Sequence, residues 1–338
     1  MGTIKIGSSS NRKGVTIEPK TVLFNGDTVR YIKSGLTEIW SNIKALVPTL
    51  TDNTNVIYSY NHNTYKPYMA FDLTNTSNKK YNSDYKTDCT SEYIGYNFNI
   101  PTIVGKISLG GSNNNNVHDC NFDLEGSNDG TTWTKIASIT AKKNTAEIFE
   151  INNDVPYAQI RLRCTSAQGT YPNGSGKYLI SIMGLQFYGS QLVALIPNMT
   201  SNTSPSGIAS ASSMYNTSYD AWKAFDGSMS SNGYVPNGSD KFGSAYVQYQ
   251  FEEPTKAKVV SIYNKEGNNI TFVYELQLSN DGIDFTPIKT IELKAPTTNF
   301  IYYEINIDKP YKYYRFVYKS NTNNDIDVSY GFKFQLYG

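Results

Sequence analysis

Histidine, cysteine and tryptophan are close to absent from this chain, at two, three and three residues in 338. Cys89, Cys120 and Cys164 form an odd set with no C-x-x-C spacing, a pattern that favours isolated reduced thiols over a disulfide framework or a zinc site. Strong charge of one sign is missing too. Against 30 Lys and Arg stand 29 Asp and Glu, for a formal +1, so bulk positive charge cannot hold a nucleic acid. Charged residues make up 17%, below the roughly 25% of an average globular domain. The longest apolar stretches, Tyr178 to Tyr188 and Leu192 to Ile196, fall short of the roughly 18 residues that indicate a membrane span, and no membrane insertion is expected. The opening Met1-Gly-Thr-Ile-Lys-Ile6 has neither the basic nor the apolar region of an export signal and reads as a strand.

What is abundant is asparagine, at 36 residues, and tyrosine, at 28. Asn and Gly supply turns, while Tyr and Thr suit pleated, half-buried surfaces, so the expected class is all-β and rich in loops. Apolar residues at 39% suffice for the cores of two or three domains. The N-x-S/T sequons at Asn75, Asn173, Asn198, Asn202, Asn216, Asn237 and Asn269 are read as products of polar loops rather than as glycosylation sites.

An internal repeat organises the chain. Ala45-Leu-Val-Pro-Thr-Leu-Thr-Asp-Asn-Thr54 returns as Ala194-Leu-Ile-Pro-Asn-Met-Thr-Ser-Asn-Thr203. Met69-Ala-Phe-Asp72 matches Lys223-Ala-Phe-Asp226, and Ser127-Asn-Asp-Gly130 matches Ser279-Asn-Asp-Gly282. Pro156-Tyr157 with Arg161 matches Pro310-Tyr311 with Arg315, and Gln186-Phe-Tyr-Gly189 matches Gln335-Leu-Tyr-Gly338. This order implies a leader, 1–44, followed by two homologous domains, 45–189 and 190–338. Within each copy the apolar period is two. Phe122-x-Leu124 and Tyr274-x-Leu276-x-Leu278 lead into Asn-Asp-Gly and out to Trp133 and Phe285, a hairpin signal in each. Short strands separated by long polar loops indicate a β-sandwich.

Together, the "SNDG" followed by an aromatic, the upstream "AFD", the late Pro-Tyr leading to an Arg and the terminal "YG" resemble the discoidin family, the coagulation factor V/VIII type C domains. These are relatives of galactose-binding-like carbohydrate-binding modules. The resemblance implies two tandem jelly-roll β-sandwiches whose ligand, often a sugar or a lipid head group, is held by loops at one end. Projected here, those loops are 58–66, 110–118 and 167–178, then 212–219, 264–270 and 320–330.

These loops carry rings beside amides, the mixture that sugar recognition uses. The candidate glycan-binding residues are His62, Tyr65, His118 and Tyr171 in the first copy, with Tyr215, Tyr219, Asn269 and Tyr330 in the second. Against each stands the reading of a solvated loop residue in a Tyr-rich chain. The resemblance also implies a structural calcium at Asp72 and Asp226, but the late position that should supply an acidic ligand is Gly184 in one copy and Lys333 in the other. Arg161 and Arg315 are expected to be buried, each paired with a carboxylate or stacked on a ring. Trp133, Trp222 and Phe285 have the spacing of core residues. No G-x-S-x-G, H-E-x-x-H or P-loop pattern occurs, no carboxylate pair stands out, and no enzyme activity is expected.

The leader reads as short strands around an Asn25-Gly-Asp27 turn, too small to bury a core alone. Ser34-Gly-Leu-Thr-Glu-Ile-Trp40 is similar to β segments in structural proteins of tailed bacteriophages. The expected protein is thus a non-enzymatic, homo-oligomeric virion surface protein (tail fibre, baseplate or capsid decoration), docked to other virion proteins through 1–44 and contacting glycans with its sandwiches. Two alternatives stay open: a virion protein whose sandwiches make only protein contacts, and the carbohydrate-binding part of a secreted, extracellular bacterial glycosidase.

Overall fold

A computed structural model describes residues 44–73, 80–111, 119–143, 145–169, 176–265, 269–324 and 331–338. The leader strands and the Asn-Gly turn anticipated before residue 44 lie outside these.

The first half contains β1 (Lys44–Ala45), β2 (Val56–Tyr58), β3 (Tyr81–Asn82), β4 (Tyr93–Gly111), β5 (Cys120–Ser127), β6 (Thr134–Ala141), β7 (Ala146–Glu150), β8 (Tyr157–Ala167) and β9 (Ser181–Gln191). The second contains β10 (Ile208–Ala211), β11 (Tyr246–Thr255), β12 (Val259–Asn264), β13 (Thr271–Ser279), β14 (Thr286–Lys294), β15 (Ile301–Glu304), β16 (Tyr311–Asn321) and β17 (Phe332–Tyr337). The second half forms two antiparallel sheets, β10-β11-β16-β13-β14 and β15-β12-β17. In the first half one long strand serves both faces. The N-terminal part of β4 pairs with β8, and its C-terminal part pairs with β9 and β7. The two halves turn this corner at equivalent prolines. Pro101 and Pro254 lack the N–H a ladder needs, and the register shifts there in both, between Asn97 and Thr102 and between Gln250 and Thr255.

Alternate residues of these strands point inward and build two cores. The first is largely aliphatic, with Ile94, Leu124, Ile160, Leu162 and Leu185 around Phe187. The second is aromatic: Phe225, Tyr274, Phe316, Tyr318, Phe332 and Phe334 meet with ring centroids as close as 4.5–4.8 Å. Much of the tyrosine excess is therefore interior. Tyr234, Tyr249 and Tyr314 donate their buried hydroxyls to backbone carbonyls, as an amphipathic ring in a core requires. The three cysteines form no disulfide and are buried together in the first core. Burial first pushes the thiols of Cys120 and Cys164 up, Cys120 to about 12 and Cys164 further with help from its hydrogen bond with Cys89.

The repeated motifs have a common geometry. In the "SNDG" turn Ser127 Oγ accepts from Gly130 N at 2.9 Å, and Asp129 Oδ1 accepts from Thr131 N and Thr132 N at 2.7 and 2.6 Å. Asn128 reaches across to the Pro-Tyr motif, donating to Pro156 O and accepting from Ala158 N. Ser279, Asn280 and Asp281 make the same bonds, with Pro310 O and Lys312 N as the distant partners. Gly130 and Gly282 both adopt φ +76°, a left-handed position suited to glycine. The hairpin is thus present, but its loop spans 128–133 rather than a two-residue turn.

The "YG" motif follows a buried glutamine. Gln186 Oε1 accepts from Val47 N at 3.0 Å and its Nε2 donates to Val47 O at 2.8 Å. Gln335 holds Ile196 likewise, at 3.0 and 2.7 Å. Each side-chain amide replaces a strand neighbour for the segment entering its sandwich. Ile43–Gly338 forms one compact unit, and a buried seam of Ala158, Leu192, Val259, Tyr302 and Tyr337 joins the halves. Across it Tyr302 donates its hydroxyl to Asn99 O at 2.6 Å.

Gln335→Ala orphans the N–H and C=O of Ile196, each at a cost of about 1–3 kcal/mol. Urea unfolding should show a lowered midpoint with an unchanged slope.

Candidate functional site

At one end of the first half, the loop after β2 leads into a 3-10 turn, Pro67–Phe71, and carries Tyr60, His62 and Tyr65. The structure brings these three together: the His62 ring lies 6.2 Å from Tyr60, edge-on, and 5.2 Å from Tyr65. His62 Nδ1 accepts from Thr64 N and Tyr65 N, both at 3.0 Å. The imidazole therefore caps the 62–65 turn, just ahead of the 3-10 turn, as an acceptor, which places its proton on Nε2. Burial first, then the nearby Lys66 charge, lowers the His62 pKa. The buried Lys80 sets its ammonium 4.8 Å from the Tyr65 ring centroid, a contact with no sequence signal.

The second half repeats the device with other residues. Asn216 Oδ1 accepts from Ser218 N at 2.9 Å and caps the 3-10 turn Thr217–Tyr219. Tyr215 and Tyr219 meet edge to face at 5.9 Å, and Tyr215 remains 62% exposed. Asn216 Oδ1 thus does for Ser218 what His62 Nδ1 does for Thr64, while Tyr219 N bonds the Asn216 backbone carbonyl. Asn269 sits exposed in the β12–β13 connection with φ +60°. His118, Tyr171 and Tyr330 lie outside the described residues.

The implied calcium at Asp226 does not fit. Lys333, 1% exposed, drives its ammonium into a ring of oxygens: Asp226 Oδ1 at 2.5 Å, Ser231 Oγ at 2.8 Å, and the Lys223 and Asn232 carbonyls at 3.1 Å. Ser231 Oγ also donates to Asp226 Oδ2. The residue read as a missing ligand is itself the cation, and the carboxylate is fully engaged. Burial pulls the Lys333 pKa down while Asp226 pushes it back up. Gly227 follows at φ +70°, where a Cβ would stand 2.2 Å from Asn198 Oδ1. Asp72 ends the equivalent turn of the first half, and the residues after it, 74–79, lie outside those described.

Both arginines are stacked on rings, as expected, but they are half-buried rather than buried. Arg161 lies 3.9 Å from the Trp133 centroid and 5.0 Å from Tyr93, and bonds Glu125 at 2.8 Å. Arg315 lies 3.4 Å from Phe285 and 4.0 Å from Tyr246, and donates to Gln248. Trp133 and Phe285 are accordingly half-buried covers for arginine rather than core residues, a correction to the reading from spacing. Trp222 packs against the second core from its edge, with Lys223 Nζ 3.9 Å from its ring centroid.

Residues 208–329 match the family described as F5/8 type C domain. No curated protein matches the chain by sequence. Among solved structures, the chain is similar to the family 32 carbohydrate-binding module of Clostridium perfringens NanJ in complex with galactose, at 13% identity over 43% of this chain and 98% of that one, TM-score 0.33. It is also similar to the CBM32 of AlyQ in complex with 4,5-unsaturated mannuronic acid, at 13% identity over 40% and 94%, TM-score 0.32. A third likeness is to the CBM32-1 and CBM32-2 domains of Clostridium perfringens ZmpB, at 10% identity over 85% and 93%, TM-score 0.32.

Lys333→Met strands the buried Asp226 carboxylate and should lower stability by roughly 3–5 kcal/mol. The wild-type melting transition of the second half should be indifferent to EDTA or added calcium, as read by calorimetry. His62 gives a pH signature of fixed sign. Its pKa lies below the ordinary 6.5, so the cap is intact above that value and is lost as pH falls through the lowered one. The amide resonances of Thr64 and Tyr65 should titrate together in that window, while that of Ser218, capped by Asn216, stays fixed.

Proposed function

We propose that this chain is a non-enzymatic carbohydrate-binding protein, with 45–189 and 190–338 as its two sandwich domains. The observation that carries the reading is the capped turn at the loop end of each half. In both, a short polar side chain pins the backbone while tyrosine rings are left at the surface, most openly Tyr215. Tyr215, held in place and 62% exposed, offers a flat face for the C–H surface of a sugar, while Tyr65 is half-buried beside Lys80. The neighbouring amides and the His62 Nε2–H suit its hydroxyls. The match of 208–329 to the F5/8 type C family supports the same reading.

The finer proposal is display on the surface of a tailed-bacteriophage virion, with 1–44 docking to other virion proteins and copies of the chain assembled together. It rests on the leader sequence, and many copies would convert weak single sites into firm adhesion.

A glycan array probed with multimerised protein tests the binding. Wild type should retain a defined set of glycans, and Tyr215→Ala combined with Tyr65→Ala should lose about tenfold or more in affinity. No binding by the multimer would overturn the function. The chain's presence among the proteins of purified phage particles tests the placement.

A further inference from the structure

The two halves enclose a cavity of about 760 Å³, remote in sequence from the capped turns and unrelated to the repeat motif's own symmetry. One wall is the first "SNDG" turn with Thr131, Thr132 and Tyr157; the other is the end of β14 and the loop into β15, with Thr298 and Tyr303. A smaller cavity of about 170 Å³ shares Asn128, Asp129, Thr298, Ile301 and Tyr302 with it. The two make one groove along the seam, extended by the amides of Asn97, Asn99, Gln159 and Asn299 and the ring of Phe300.

The walls are fixed before any ligand arrives. Asp129 is locked by the Thr131 and Thr132 amides, and Asn128 by Pro156 and Ala158. Tyr302 ties the opposite wall to the first half through Asn99 O and, by its own N–H, Asn128 O. Asp129 and Tyr303 approach each other across the gap. Tyr303 donates its hydroxyl to Glu292 O at 3.4 Å, and burial, then the Asp129 carboxylate, push its pKa up to about 12. The equivalent turn of the second half has no such partner wall in the cavity and leaves Ile283 82% exposed.

The volume lies in the range of small-molecule sites, and the lining decides the class. Threonine hydroxyls, amides and tyrosine rings dominate, which suits a polyol with apolar C–H faces. Asp129 and Glu292 against the single Lys294 disfavour an anionic ligand. We infer that the groove between the halves is a second saccharide site, taking several units of a neutral glycan chain rather than one terminal sugar. It is separate from the loop-end sites and does not depend on them.

Titration of the isotope-labelled full chain with cellohexaose, chitin hexamer, laminarihexaose and, as the anionic control, hexagalacturonate distinguishes the two sites by amide shifts. The expected result is that at least one neutral hexasaccharide shifts 128–134 and 297–303, that hexagalacturonate does not, and that Tyr65→Ala/Tyr215→Ala leaves these shifts intact. Thr132→Trp and Thr298→Trp, exposed residues on opposite walls, should each fill the groove and weaken that binding about tenfold or more with an unchanged melting transition. Absence of groove shifts with all three neutral sugars at millimolar concentration, or full affinity in both tryptophan variants, overturns the inference. Shifts confined to 60–65 and 215–219 would do so too while leaving the loop-end function standing.

Discussion

A sandwich made of short strands must close where its first segment enters, and here a side-chain amide performs the closure. Gln186 and Gln335 each present a carbonyl and an amide nitrogen to one backbone residue, Val47 or Ile196, inside the protein. The pairing satisfies groups that would otherwise be buried without partners. It also brings the linker 192–196 onto β17, where Leu195 N bonds Leu336 O and Val193 exchanges bonds with Gly338. The seam, and with it the groove between the halves, follows from that placement.

Cations enclosed by complementary groups, Lys333 buried and Arg161 and Arg315 half-buried, are the second recurring device. Lys333 stands inside an oxygen ring, and Arg161 and Arg315 lie between aromatic faces. In each case the charge is surrounded by complementary groups drawn from distant parts of the chain, so it cross-links turns that are far apart in sequence. The turns that present Tyr65, Tyr215 and Tyr219 are held instead by their own caps at His62 and Asn216, and a rigid ring loses less freedom on meeting a ligand than a mobile one.

The motifs legible in the sequence are those whose chemistry is local or repeated at a fixed distance. Ser127, Asn128, Asp129 and Gly130 could be read as a turn because each bonds within a few residues or to the recurring Pro-Tyr, and the period-two strands read correctly on both sides. The role of Lys333 was hidden because its partners lie more than a hundred positions away and Lys at a ligand position reads as a loss. His62 looked like a ligand residue, yet its Nδ1 does the work of Asn216, a likeness visible only once both turns are folded. Composition assigned tyrosine to half-buried strand surfaces, whereas Tyr234, Tyr249, Tyr274, Tyr314 and Tyr318 lie fully inside the second core. The groove had no signal at all, because its walls belong to different repeats.

All three cysteines belong to the first half, in its core, and the second half has none. Thiol chemistry runs through the thiolate, and burial suppresses that form at Cys120 and Cys164 while the core is closed. Exchange with oxidants or small disulfides must wait for the core to open, so the protein keeps its thiols in an oxidising medium without needing to pair them. The same arrangement makes the cysteines a native reporter: their rate of alkylation measures the opening of the core of the first half.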